Sequence, residues 1–241
     1  MTKDVTVVIL AGGKGTRLAP YTTVLPKPLM PVGEMPILEI VVRQLKYYGF
    51  RNIVISVGHL AELIRAFFGD GSKWQMSIRY AIEDKPLGTI GPVRLIEGLD
   101  NPFIVMNGDL LTDINYASLY EYHQRGKQMA TVATTTKKVQ ISLGVLDSDT
   151  DGRLVGFREK PVHTYCASMG IYVYDSSIVK LIPPDTHYGF DNLMLDMLAG
   201  GQIVRIYPFD GLWLDIGRHE DYEQASGEFE RQRTRFLPSD A

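Results

Sequence analysis

Between Val5 and Pro36 the chain reads VTVVILAGGKGTRLAPYTTVLPKPLMPVGEMP, and this stretch limits the fold more than any other. Val5, Val7, Val8 and Ile9 form an apolar β-branched run suited to a strand buried on both faces. The run passes directly into Gly12, Gly13, Lys14, Gly15 and Arg17. Glycines at a strand end let backbone N–H groups approach an anion, and Lys14, Arg17 and Lys27 supply positive charge. The spacing excludes a Walker loop, which needs Gly, four residues and Gly-Lys-Ser/Thr. It also excludes a dinucleotide fingerprint, because Leu18 stands where the third glycine is required. Pro20, Pro26, Pro28 and Pro31 forbid an α-helix until about Pro36, so the segment is expected to lie extended, wrapping an anion such as a triphosphate.

The run GGKGTRLAPYTTVLPKPLMPV resembles the signature of the sugar-1-phosphate nucleotidyltransferases, which join a nucleoside triphosphate to a sugar phosphate and release pyrophosphate. The resemblance implies an α/β fold, a Rossmann-like, mostly parallel mixed sheet flanked by helices of the GT-A-like nucleotidyltransferase type, with a smaller sugar-binding sheet region. It also implies that Leu10, Ala11, Gly12, Gly13, Gly15, Thr16, Arg17 and Lys27 contact the nucleotide.

Periodicity is consistent with this. Apolar residues at helical spacing from Ile37 to Tyr48 predict a helix stopped by Gly49. Strands are expected at 52–57, 77–82 and 103–106, alternating with helices at 60–68 and 115–125, the pattern of a parallel sheet with ligands beyond its carboxyl ends. From Met129 the pattern changes to strands at 130–135, 142–146, 154–158 and 167–174, a mixed region expected to form a second lobe closing over the first half. Helices at 176–181 and 190–198, strands near 203–207 and 212–214, a helix from Glu220 and a loose tail FLPSDA complete the expectation. The 241 residues are read as one domain, with a nucleotide-binding half (1–128) and a sugar-phosphate-binding half (129–235).

A net charge of −3 argues against nucleic acid as a partner. No apolar run is long enough to span a membrane, and a cytoplasmic enzyme is expected. The single cysteine, Cys166, excludes an internal disulfide and is read as a packing residue rather than a nucleophile.

Chemistry concentrates at two aspartates. Asp109 follows a predicted strand in NGDLLTDI and Asp215 lies in WLDIGRHEDY; both contexts resemble the family's Mg²⁺ ligands, and each alone could equally be a turn or cap. Asp113 is read as the cap of the following helix. Glu159-Lys160-Pro161 resembles the family's glutamate-lysine-proline element, implying that Lys160 clamps the sugar's phosphate and Glu159 its hydroxyls. Gly144, with Asn107 and Gly170, completes the sugar-phosphate set. Glu83, Gly88 and Thr89 resemble the base-pocket segment, which departs from the family's Gly-Thr-Ala-Gly at Ile90, a residue bulky enough to reshape the pocket.

The implied catalytic set is therefore Arg17, Lys27, Asp109, Lys160 and Asp215, with no general base needed because a phosphate monoester is already ionised. His59, His123, His163, His187 and His219 are left to surface or structural roles. The resemblance runs most closely to the mannose-1-phosphate and D-glycero-α-D-manno-heptose-1-phosphate guanylyltransferases, implying GTP, Mg²⁺ and a sugar 1-phosphate, with a homodimer left open. Thymidylyl, uridylyl and cytidylyl transfer stay open. A regulatory subunit that binds nucleotide sugar is the rival from another class.

Overall fold

The computed structural model describes residues 2–99 and 102–238. The apolar run at the start becomes β1 (Thr6–Ala11), whose side chains are almost wholly buried. Two short strands, β2 (Pro31–Val32) and β3 (Met35–Pro36), lead into α1 (Ile37–Tyr47). That helix is read correctly from its spacing: Leu38, Val41 and Leu45 pack inward, and Gly49, at φ +89°, ends it as a left-handed residue. Next come β4 (Asn52–Val57), α2 (Ala61–Phe68), β5 (Ser77–Ile82), β6 (Phe103–Asn107) and β7 (Leu110–Thr112). Helix α3 (Tyr116–Gln124) is capped by Asn115, whose side chain accepts from Ser118 N. Asp113 is not the cap; it accepts from Leu212 N at 2.7 Å and pairs with Arg235.

The second half contains β8 (Ala130–Gln140), β9 (Val145–Ser148), β10 (Leu154–Arg158) and β11 (Val162–Tyr174). It continues with α4 (Phe190–Ala199), β12 (Val204–Pro208), β13 (Trp213–Asp215), α5 (His219–Arg231) and α6 (Arg233–Phe236). The residues expected to form a helix at 176–181 make a 3₁₀ turn instead.

One seven-stranded sheet, in the order β12-β8-β11-β6-β1-β4-β5, runs through both halves. Strands β4, β5, β1 and β6 are mutually parallel, β11 is antiparallel to β6 and β8, and β12 is parallel to β8. The expected mixed region is thus no separate sheet: the inner ends of β8 and β11 belong to the main one. Only their outer ends, with the β9–β10 hairpin, project as an arm. Cys166 lies on this arm opposite Thr136 and is exposed, so it is not a packing residue: β11 enters the core only from Met169 onward.

Three cores hold the molecule. Val7, Ile9 and Ile55 pack beneath α1, α2 and α3, while Val8, Val54 and Val105 pack on the other face against α4, the alternation a strand buried on both sides requires. The third core joins Leu18, Met30 and Ile37 to Leu111, Ile216, Phe229 and Phe236. It fastens the segment after the glycines to the β7–β13 pair and the C-terminal helices. Phe236, expected in a loose tail, is fully buried there because its ring packs beside Phe229. The end of that expected tail, residues 239–241, lies outside the described residues.

Candidate active site

The carboxyl ends of β1, β4, β5 and β6 open onto a cleft of about 780 Å³. It lies where the order turns from β1 to β6 on one side and β4 on the other, the place where open parallel sheets bind ligands. Leu10, Ala11, Gly12, Gly13, Gly15, Thr16, Arg17, Lys27, Glu83, Gly88, Thr89, Asn107 and Asp109 all line it, although no local pattern could bring 12, 83 and 107 together.

The glycine segment does not lie extended. It folds as three 3₁₀ turns, Thr16–Leu18, Tyr21–Thr23 and Lys27–Leu29, because prolines that forbid an α-helix still permit single turns. Gly15 begins them at φ +61°, its carbonyl accepting from Leu18 N and Thr22 Oγ1. Among the described residues, the N–H groups of Gly13, Lys14 and Gly15 donate to no protein acceptor, which leaves a concave set of donors suited to phosphate oxygens.

Asp109 and Asp215 are brought side by side by the β7–β13 ladder, in which Asp215 stands opposite Leu110 and Ile216 N donates to Asp109 O at 3.3 Å. Asp109 is ion-paired with Lys27, whose side chain is 10% exposed. Partial burial, and then the neighbouring Asp109 carboxylate, push the Asp215 carboxyl up, while Lys27 and Arg17 pull it down. Arg17 lies against Gly217, just past Asp215. Two hard carboxylates crowded enough to raise one of them make a natural place for a divalent cation. Among the described residues no third carboxylate or imidazole joins them, so water or substrate oxygens would fill the remaining positions, the usual arrangement for Mg²⁺.

Glu83 stands at the end of β5. Its carboxylate accepts from Ser56 Oγ at 3.0 Å and from Leu87 N at 3.2 Å, and it is packed so closely on Gly12 that any Cβ there would collide with it. Burial pushes this carboxyl up; the Leu87 and Ser56 hydrogen bonds oppose the shift. Gly88, at φ +84°, sits on the Tyr188 backbone, and Thr89 Oγ1 accepts from Phe190 N at 2.8 Å. Ile90 does not reshape the pocket: it is buried in the second core, turned away from the cleft.

The remaining expected residues divide. Gly170, at φ +72°, packs on the Asn107 side chain and so lies beside the end of β6. Gly144, Glu159 and Lys160 are on the arm, outside the cleft walls. Phe157 covers Gly144, and Lys160 is exposed, with Glu159 as its ion-pair partner at 3.8 Å.

Among the cleft residues not expected at the site are His59, Lys85 and His187. His59 follows the end of β4, where the strand-end rule could have found it; its backbone N donates to Gly12 O at 3.3 Å. Lys85, which pairs with Asp185 at 2.8 Å, and His187 both line the rim, brought to one place by tertiary folding.

The sequence profile of the nucleotidyl transferase family matches residues 6–232. The chain belongs to that family. It is 32% identical over 238 residues to a UTP–glucose-1-phosphate uridylyltransferase of Synechocystis, covering 90% of this chain and 61% of that protein. It is 28% identical to a mannose-1-phosphate guanylyltransferase of Mycobacterium tuberculosis, covering 95% of this chain and 66% of that one. The chain therefore spans less than two thirds of these curated relatives.

Among solved structures, a putative glucose-1-phosphate thymidylyltransferase from Bacillus anthracis superposes with a TM-score of 0.75 at 26% identity, over 93% of this chain and 94% of that one. HddC from Yersinia pseudotuberculosis, complexed with GMP-PN, superposes with a TM-score of 0.71 at 27% identity, over 93% and 99% of the two chains. Among the described residues no helix of this chain is long and apolar enough to cross a membrane.

Proposed function

We propose that the protein transfers a nucleotidyl group from a nucleoside triphosphate to a sugar 1-phosphate, releasing pyrophosphate. The observation that carries this is the meeting, at the carboxyl ends of β1 and β6, of the free amides after Gly12 with Lys27, Arg17 and the Asp109–Asp215 pair. An oxygen of the sugar phosphate attacks the α-phosphorus; that P–O bond forms as the bond from the α-phosphorus to the oxygen bridging to the β-phosphate breaks, and the leaving electron pair goes to pyrophosphate. Positioning and electrostatics do this work, since the nucleophile is already ionised. Lys27 and the loop amides hold the triphosphate, Arg17 faces the charge developing on the leaving group, and Lys160 with Glu159 orients the sugar phosphate. Asp109 and Asp215 would hold Mg²⁺, whose chemistry when bound is to neutralise phosphate charge.

The base is proposed to be guanine and the sugar phosphate mannose- or heptose-1-phosphate. Guanine's N1–H and N2–H₂ are adjacent donors that a carboxylate accepts in parallel, and Glu83 is a carboxylate fixed at the cleft wall. HddC, bound to a guanine nucleotide analogue, is a structural relative. One observation favours the pyrimidine reading: both Glu83 oxygens already accept a protein hydrogen bond, which reduces what they offer a base.

The test is kcat/KM for GTP, UTP, dTTP and CTP against several sugar 1-phosphates, read by pyrophosphate release, on wild type and Glu83→Gln. GTP preference that moves toward UTP or dTTP by about 1–3 kcal/mol in the variant is expected. A pyrimidine preference in the wild type, or an unchanged ratio in the variant, removes Glu83 as the base reader. No pyrophosphate release from any pair removes the transferase reading.

A further inference from the structure

Two histidines, read from the sequence as surface or structural residues, grip one turn of the glycine segment from different parts of the fold. His59 follows the end of β4; its Nε2 lies 3.4 Å from Thr22 O, and its backbone N donates to Gly12 O at 3.3 Å. His219 opens α5, and its Nε2 lies 3.0 Å from Ala19 O. Its ring also leans on Tyr21, with 5.6 Å between centroids. A carbonyl oxygen only accepts, so each imidazole carries a proton on Nε2 in these contacts and donates it. The two accepting carbonyls stand on either side of Tyr21 in the chain.

The gripped turn connects directly to the donors of the cleft. Thr22 is buried; its Oγ1 donates to Gly15 O at 2.8 Å, and its methyl lies against Gly15 so closely that a Cβ there would sit 2.9 Å from it. Gly15 ends the set of free amides at 13–15, and Arg17 follows two residues on, packed against Gly217 just ahead of His219. The segment has little rigidity of its own. It consists of 3₁₀ turns of three residues each, and Pro20 and Pro26 remove donors that could have joined them. Its geometry therefore depends on braces from outside.

We infer that His59 and His219 are positioning residues, a clasp on the 19–22 turn that acts through Thr22 and Gly15 to keep the amides of residues 13–15 and the Arg17 guanidinium aimed at triphosphate oxygens. The clasp rests on the proposed nucleotide site and deepens it. Neither imidazole takes a proton from substrate, which agrees with a nucleophile that is already ionised. One arm of the clasp comes from β4 and the other from α5, so the loop is braced on both sides only once the C-terminal helix has docked.

Titration calorimetry of the full chain with GTP and with UTP, no sugar phosphate present, tests the clasp apart from the transfer reaction. His219 is the decisive position: it is not among the residues lining the cleft, so an effect there is transmitted rather than direct. His219→Ala should weaken nucleotide binding about fivefold, the size of one net hydrogen bond, with circular dichroism unchanged. His219→Gln, whose amide N–H can donate from a similar reach, should recover most of that loss. His59→Ala should weaken binding to a like degree, and the double variant should fall short of the product of the two, because both hold one turn. In turnover the KM for the triphosphate should rise with that for the sugar phosphate unmoved. Unchanged affinity in His219→Ala, a Gln variant as weak as the Ala one, effects that multiply in full, or an equal rise in both KM values would each overturn the clasp. A wild type that binds neither nucleotide would overturn the nucleotide site itself, and the clasp with it.

Discussion

Lys27 and Lys160 are both assigned to phosphate, yet the molecule holds them in opposite ways. Lys27 lies in a 3₁₀ turn between Leu25 and Leu29, its side chain 10% exposed and ion-paired with Asp109. Lys160 lies on the projecting arm, 57% exposed, with only the adjacent Glu159 at 3.8 Å as its ion-pair partner among the described residues. The cleft side is thus organised before any ligand arrives. Three cores fix its loops, and the counter-charge a triphosphate would bring is already balanced between Lys27, Arg17 and the two aspartates. The arm side keeps its charges in water, where an ion pair contributes little. Preorganisation on one side and exposure on the other imply that the proposed nucleotide site is already formed in the free protein and that the proposed sugar-phosphate site is not.

The largest test of this contrast is stability. Phe103→Ala, in the middle of the sheet and fully buried, should cost about 3–5 kcal/mol, whereas Val155→Ala on the arm should cost under about 0.5 kcal/mol. Urea unfolding of both variants reads it, and a comparable loss at Val155 would mean that the arm packs on something in solution.

Next in size is the metal pair. Asp109→Asn should leave the fold intact and lower turnover about a hundredfold, the loss expected when charge stabilisation at a transferring phosphate is removed. Thermal melting alongside Mg²⁺-dependent turnover checks both halves of that statement. A folded Asn variant with normal, still Mg²⁺-dependent turnover would take Asp109 out of the site.

The two lysines themselves come third. Lys27→Ala should raise the KM for triphosphate about tenfold and that for sugar phosphate little; Lys160→Ala should do the reverse. Equal effects on one substrate would erase the division between cleft and arm.

The smallest effect is a pH dependence confined to the globular half. His123 is buried between α3 and β8, its Nδ1 2.9 Å from Thr131 Oγ1, and burial holds its imidazole below the ordinary value. The unfolded chain therefore binds a proton more readily than the native one. Stability is expected to fall as pH drops below about 6.5 and continue falling until the folded imidazole itself titrates. His123→Gln should flatten the change in Tm between pH 7 and pH 5. An identical slope in wild type and variant would assign that loss to other groups.

Strands β4, β5 and β10 are legible in the sequence to the residue, and α1 and α3 to within one or two. Hydrophobic periodicity is a local record of which face a segment buries. The cleft was legible for a related reason: glycines, Glu83 and Asp109 all stand at the ends of recognisable strands, and parallel strands deliver their ends to one edge of the sheet. The outer parts of β8 and β11 were not legible, because TTTKKVQ and VHTYCAS bury little and so carry no apolar rhythm. Asp113 and Asn115 are both plausible caps by residue type; which one caps α3 was decided when Leu212 and Arg235, about a hundred residues away, claimed Asp113. Phe236 looked like tail until α5 turned it back beneath Phe229. His187 reached the cleft only because Tyr188 N donates to Leu87 O and Tyr188 O accepts from Ile90 and Gly91. The sequence by itself thus determined the inner strands, the place of the glycine-rich loop and the charged residues that resemble the family's, since these depend on neighbours within a few positions. Only the tertiary structure decided which charges are buried, which are shared and which stay on an exposed arm, because burial is set by segments that meet from opposite ends of the chain.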